Sequence, residues 1–320
     1  MKALFVTSTR IGDAVLSTGI LAHLLRARPG VRVTIACGPA SAPLFEAVPG
    51  LDRLIVVTKR PYAMHWLDLW AKCALPLWHL VVDLRGSALA YFLRARRRRI
   101  LRPALYRGHQ IERLARAFGL REPPAPVIWT APRHEEAAAE LIPRGTPVLA
   151  LGPTANWAPK IWPAENFVAL AERLTGRDGI LPGARIAVFS GPDERGLAQP
   201  VIDALPAERR IDLVGKVDLL TAAACLKRAA LFVGNDSGLM HIAAATGIPT
   251  LGLFGPSPAA LYAPWGPRAA IAATTIPYQT LVGARGFDHP ATRCLMDSLT
   301  VDAVEQAARA LMQRIAVPAQ

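Results

Sequence analysis

Short apolar runs alternate with longer Ala- and Leu-rich stretches along the whole chain. In the first half, residues 3–6, 32–36, 54–57 and 80–84 read as buried strands. Residues 14–26, a segment opening at Gly38-Pro39-Ala40, and 109–120 read as helices. The second half repeats the rhythm. Residues 148–151, 185–189, 211–213, 231–233 and 250–254 are strand-like, while 164–174, 197–204, 219–228, 239–246 and 301–314 are helix-like. Alternation of this kind predicts an α/β protein with doubly wound parallel sheets. Prolines 123, 124, 126 and 132, a short helix at 135–142 and the breaker Pro143-Arg144-Gly145-Thr146-Pro147 separate the halves. The expected domains are therefore 1–144 and 145–320, with the last helix a candidate to pack back on the N-terminal one.

The stretch LFVGNDSGLMHIAAATGIPTLGLFG at 231–255 reads as strand, polar turn, helix, strand. The turn Gly234-Asn235-Asp236-Ser237-Gly238 leaves backbone N–H groups at a helix start, where a phosphate would sit. Asp236 and Ser237 also suit ordinary helix caps. Two further polar turns lie at strand ends. Thr9-Arg10-Ile11-Gly12-Asp13 places a carboxylate where it either caps a helix or acts as a general base. The loop 152–162 holds Thr154, Asn156, Trp157 and Lys160, the last suited either to solvent or to a developing phosphate charge. His241 is either packed in place or turned toward that charge.

At 320 residues the chain has room for two domains, and no uninterrupted apolar run in its 52% hydrophobic content reaches membrane-spanning length. The net charge of +13 is uneven: residues 1–144 hold 22 Lys/Arg and 10 Asp/Glu, residues 145–320 hold 15 and 14. An acidic partner for the first half follows: nucleic acid, anionic lipid or a phosphorylated sugar. The run at 94–99, with five arginines, is a solvated face or a phosphate attractor. Trp66 and Trp70, four apart, share a helix face that is directed either to a core or to lipid headgroups. Scattered Cys37, Cys73, Cys225 and Cys294 suggest a reducing compartment, and no signal peptide is read at the start. Walker-type loops, nucleophile elbows, H-E-x-x-H, Asp-x-Asp pairs and a G-x-G-x-x-G turn are absent from the sequence. No recognised nucleic-acid module is present either, which leaves a non-catalytic nucleic-acid-binding role as the remotest reading.

Three segments resemble glycosyltransferase family 9, the ADP-heptose:lipopolysaccharide heptosyltransferases: ALFVTSTRIGDAVLSTGILAHLLR, GPTANWAPKIWPAENFVAL and GNDSGLMHIAAATGIPTLGLFGPS. VVDLRGS at 81–87 and SGPDERG at 190–196 are weaker matches. The resemblance implies a GT-B architecture, two Rossmann-like domains facing a central cleft. The first domain would take an acidic lipid-linked acceptor and the second a nucleotide sugar. It implies an inverting heptose transfer with no cofactor and no tightly bound metal, in the cytoplasm, at the inner face of the inner membrane. Asp13 matches the proposed base and Lys160 the lysine that steadies the departing diphosphate. Thr154, Glu194, Asp236, Ser237, Gly238 and His241 match donor-binding positions, with Ser237 in place of a more usual threonine. Arg10, Arg60 and Arg85 are acceptor-binding candidates. Another donor sugar, or epimerase or hydrolase chemistry on the same plan, stays open.

Overall fold

The computed structural model describes residues 1–101, 107–283 and 294–316, in two compact units, 1–131 and 132–320. In the first unit the strands are β1 (Lys2–Val6), β2 (Arg32–Cys37), β3 (Leu51–Val56), β4 (Leu80–Asp83) and β5 (Arg98–Ile100), all parallel in the order β3-β2-β1-β4-β5. Helices α1 (Ile11–Ala27), α2 (Met64–Cys73) and α3 (Gln110–Phe118) complete it. The chain winds from β1 outward to β3, then crosses back so that β4 pairs with β1, Val6 opposite Asp83. Loops after β1 and β4 diverge at this reversal, which is where doubly wound sheets hold ligands. Leu4, Val6, Ala36, Val81 and Trp78 anchor one layer of the core.

The arginines of the 94–99 run are all exposed, as a solvated face would be, and the run ends in a strand. Arg98–Ile100 forms the edge strand β5, and the stretch before it makes only a 3-10 turn, Ala88–Tyr91. The Arg98 guanidinium donates to the carbonyl oxygens of Ala90, Leu93 and Ala95, satisfying a bend that has no helix to do so. Likewise Pro39–Phe45 is a 3-10 helix, with Pro39 and Pro43 removing the donors a longer α-helix needs.

The boundary falls after Ala131, ahead of the expected break at 144. The proline-rich segment is held to the first unit by α1. Val127 N–H donates to Thr18 Oγ1 at 2.9 Å, and Gly19 lets the Pro124 carbonyl approach so closely that a Cβ would lie 2.2 Å from it. Helix α4 (Pro132–Leu141) belongs instead to the second unit, tied there by Lys227 Nζ to Glu135 at 2.8 Å.

The second unit begins with β6 (Val148–Gly152), α5 (Ala164–Thr175), β7 (Arg185–Val188), α6 (Arg195–Ala204), β8 (Arg210–Asp212) and α7 (Leu219–Leu226). It continues with β9 (Leu231–Asn235), α8 (Gly238–Ala245), β10 (Thr250–Phe254), α9 (Ala259–Tyr262), β11 (Ala269–Ala273), α10 (Tyr278–Gly283) and α11 (Val301–Ala316). Its six parallel strands run β11-β10-β9-β6-β7-β8, again with the reversal at the first strand. Every residue of β6, β9 and β10 is buried, as a parallel sheet covered on both faces requires. The last helix, α11, packs on the second unit's own sheet layer. Val304, Ala308 and Leu311 bury into the second unit's own core, and Arg173 pairs with Asp302 and Glu305. Among the described residues no helix is long and apolar enough to cross a membrane.

The division concentrates the charge. Residues 1–131 hold 20 Lys/Arg and 7 Asp/Glu, residues 132–320 hold 17 of each, so the first unit carries the whole balance of +13.

Candidate functional site

At the carboxyl edge of the second sheet, the loops after β6, β7 and β9 bring together all the donor-side candidates. These strands are neighbours, with β6 in the middle. Lys160 ends the 3-10 turn Ala158–Lys160 beyond β6, and Asp236 follows β9. Lys160 Nζ donates to Asp236 Oδ2 at 2.6 Å, with the two side chains 20% and 8% exposed. His241, one turn into α8, lies with Nε2 at 4.0 Å from Asp236 Oδ1. A pair this sheltered is far less screened than a surface ion pair.

Ser237 is the N-cap of α8 but makes no capping bond; its backbone is fully extended and its Oγ is buried with no hydrogen-bond partner. Asn235 Oδ1 accepts from the Trp162 N–H at 3.2 Å, while its Nδ2 is buried and unpaired. A buried hydroxyl without a partner is destabilising. Beside a helix N-terminus, where Gly238 brings no side chain to crowd the amides, it is a position suited to an anionic ligand.

Thr154, Ser190 and Glu194 form a second polar group at the same edge. Glu194 Oε2 accepts from Thr154 Oγ1 at 2.7 Å and from Ser190 Oγ at 2.8 Å, and the hydroxyls lie 2.8 Å apart. The Gly191 N–H adds a third, longer bond at 3.3 Å. Below the edge, Gly152 of β6, Gly234 of β9 and Gly252 of β10 lie side by side in register. A Cβ on Gly152 or Gly234 would meet the Phe232 ring at 2.7 Å, so these glycines seat that ring under the loops.

In the first unit, Asp13 lies in the first turn of α1, just past β1. Ser8 Oγ donates to Asp13 Oδ2 at 3.5 Å and itself accepts from the Arg10 N–H at 3.2 Å. Arg10 is the N-cap of α1 and gives it no side-chain bond. After β4, the buried Asp83 accepts from Ser87 Oγ at 2.6 Å and from the amides of Arg85 and Ser87. Burial pushes the Asp83 carboxyl up, and these bonds hold the loop that presents Arg85. Arg85 lies over the Trp66 ring, 5.7 Å from its centroid. Asp13, Arg10 and Arg85 thus share the reversal point of this sheet. Arg60 does not join them: it follows β3, two strands away, and pairs with Asp68 at 2.6 Å. Among the described residues, no three His, Cys, Asp or Glu side chains converge as a metal site.

The family model for glycosyltransferase family 9 (heptosyltransferase) matches residues 82–283. The chain belongs to glycosyltransferase family 9. Lipooligosaccharide heptosyltransferase 2 of Haemophilus influenzae is 34% identical over 152 residues, 46% of this chain and 42% of that protein. Lipopolysaccharide heptosyltransferase 1 of Pseudomonas aeruginosa is 28% identical over 80% of this chain and 79% of its own. The chain aligns with only 40 to 43% of the length of several other curated family members. The solved structure of ADP-heptose lipopolysaccharide heptosyltransferase II from Escherichia coli superposes with a TM-score of 0.75 at 19% identity. That superposition covers 99% of this chain and 100% of the other. With two parallel-sheet α/β units, this makes the fold GT-B.

Sequence reasoning missed Ser190, Asn235, Trp162 and Ser87. Ser190 and Ser87 lie inside the two weaker family matches. Asn235 and Trp162 join the β6 and β9 loops by a bond between residues 73 apart, which no local pattern reveals.

Proposed function

We propose that this family 9 member is an inverting glycosyltransferase that moves a heptose from ADP-heptose to a lipopolysaccharide inner-core acceptor. The observation that carries the reading is the group at the β6 and β9 ends: Lys160 held by Asp236, with the unpartnered Ser237 Oγ at the start of α8. It has the charge and donors that a departing diphosphate needs. The names of the family members that match this chain supply the donor and acceptor.

In this reading Asp13 takes the proton from the acceptor hydroxyl, whose oxygen attacks the anomeric carbon as the bond to the diphosphate breaks. Lys160, Ser237 Oγ and the N–H groups at Gly238 meet the charge that develops on the leaving group. Thr154 and Glu194 hold the nucleotide side of the donor, and Asp236 and His241 set the orientation of Lys160. Positive charge comes from the chain itself, so no tightly bound metal or cofactor enters the proposal. Arg10 and Arg85, beside Asp13, receive the acidic acceptor, with Arg60 further out. The enzyme works in the cytoplasm at the inner face of the inner membrane. The free cysteines are consistent with a reducing compartment, and the charge of the first unit with an anionic surface.

The test is a panel of ADP-, UDP- and GDP-sugars assayed for protection against thermal unfolding, followed by transfer to a delipidated inner-core acceptor. ADP-heptose should protect most and be consumed only with acceptor present. Consumption without acceptor would replace transfer with hydrolysis or epimerisation. Asp13→Asn should abolish transfer and keep the protection; unchanged turnover would remove Asp13 from the mechanism.

A further inference from the structure

Helix α2 is apolar on two opposite faces. Leu69 and Cys73 are buried and Trp66 packs beside them on the first unit's core. One such stripe is what a surface helix needs. Met64 and Leu67 lie on the other side of the helix, exposed, and Leu67 is 55% accessible. Just before the helix, Tyr62 and Ala63 both hold left-handed backbone, with φ of 52° and 57°, although each carries a Cβ. Strain of this kind persists where surrounding structure enforces it and gathers at functional positions. Here it leaves Tyr62 98% exposed. Trp70 Nε1 donates to the Phe92 carbonyl oxygen at 3.1 Å, joining α2 to a second outcrop. Trp70 is 40% and Phe92 71% accessible.

Around this surface Lys59, Lys72 and Arg94 are exposed, and Arg60 is exposed while paired with Asp68 of α2. Amphipathic aromatic rings with aliphatic side chains and a basic surround match the headgroup layer of an anionic bilayer. A second copy of this chain would bring another unit of charge +13 against the first, and repulsion disfavours it. A nucleic acid would use the charge but not the aliphatic stripe.

We propose that the exposed face of α2, with Tyr62 before it and Phe92 beside it, docks on anionic lipid headgroups. The inference rests on the lipid-linked acceptor of the preceding reading and deepens it. Arg85, stacked on Trp66 of the same helix, follows β4, the neighbour of the strand that leads to Asp13, so docking brings a bilayer-anchored acceptor to that edge.

The experiment is sedimentation of the full chain with phosphatidylcholine vesicles, with and without phosphatidylglycerol, for the unaltered protein and for Leu67→Ser with Phe92→Ser. The unaltered protein should sediment with the anionic vesicles. The double variant should lose roughly tenfold or more in partition, since each tenfold is a modest loss of interfacial burial. Its melting temperature, its protection by ADP and its transfer to a delipidated acceptor should not change. Three results overturn the proposal: equal sedimentation of both proteins, no sedimentation of the unaltered one, or a dimer that the double variant dissolves. Failure of ADP to protect either protein while vesicle binding behaves as expected would sink the donor reading and leave the docking surface standing.

Discussion

Lys160 and Asp236 form one sheltered ion pair, which the proposed mechanism uses for chemistry as well as stability. Breaking a sheltered pair leaves a carboxylate without its partner, whereas removing both charges together leaves little behind. Lys160→Ala is expected to lower stability by about 1–3 kcal/mol, reduced from a fully buried case because Lys160 is partly solvated. Turnover should fall about 10²-fold or more. Adding Asp236→Asn should restore most of the stability and none of the turnover; urea denaturation and steady-state rates separate the two effects. Ser237→Ala is the opposite case. Its Oγ is buried without a partner, so the variant should be as stable as the parent or better by about 1 kcal/mol. Its affinity for ADP should nevertheless drop roughly tenfold by calorimetry, the loss expected for a bond to a charged group. Gly234→Ala forces a methyl against the Phe232 ring and should cost about 1–3 kcal/mol in the same denaturation assay.

At the scale of elements, the turns at the ends of β4, β7 and β8 are set by carboxylates that bond backbone and side chains together. Asp212, the last residue of β8, accepts from Arg195 at 2.7 Å, from Lys216 at 2.7 Å and from the Val214 N–H at 3.1 Å. Burial works against its ionisation, but these donors outweigh it and hold its carboxyl well below the usual carboxylate range. A depressed folded-state pKa stabilises above the unfolded value near 3.8, and the contribution fades as pH falls through the folded one. Asp212→Asn should therefore destabilise the second unit by about 1–2 kcal/mol at neutral pH. The gap between variant and parent should close progressively below about pH 4, followed by denaturation midpoints across that range. Most strand cores were legible in the sequence because their runs are predominantly apolar. Edge strands β5 and β11 were not. Two of the three residues of β5 are arginines, and only pairing with β4 at the sheet edge gives their backbone a ladder.

For the whole molecule, the units differ in charge more than in fold. Acceptor affinity should weaken steeply with added salt while donor affinity changes little, because the first unit holds the entire excess of basic residues. Separate Michaelis constants for donor and acceptor over a salt series check this. The domain break shows how far composition can mislead. Prolines at 123–126 suggest a linker approaching, yet they lie along α1, held through Thr18 and Gly19, and the break follows them directly.

By itself the sequence determined the α/β class and the doubly wound halves, which depend on local periodicity, while the likeness of three segments to family 9 pointed to the family and singled out Asp13, Lys160 and Asp236 in turns after strands. Only the tertiary structure decided that Lys160 neutralises Asp236, that Glu194 gathers Thr154 and Ser190, and that α2 carries a second apolar face outward. Each depends on which strand lies beside which, and strand order comes from the burial of the whole sheet rather than from any one segment.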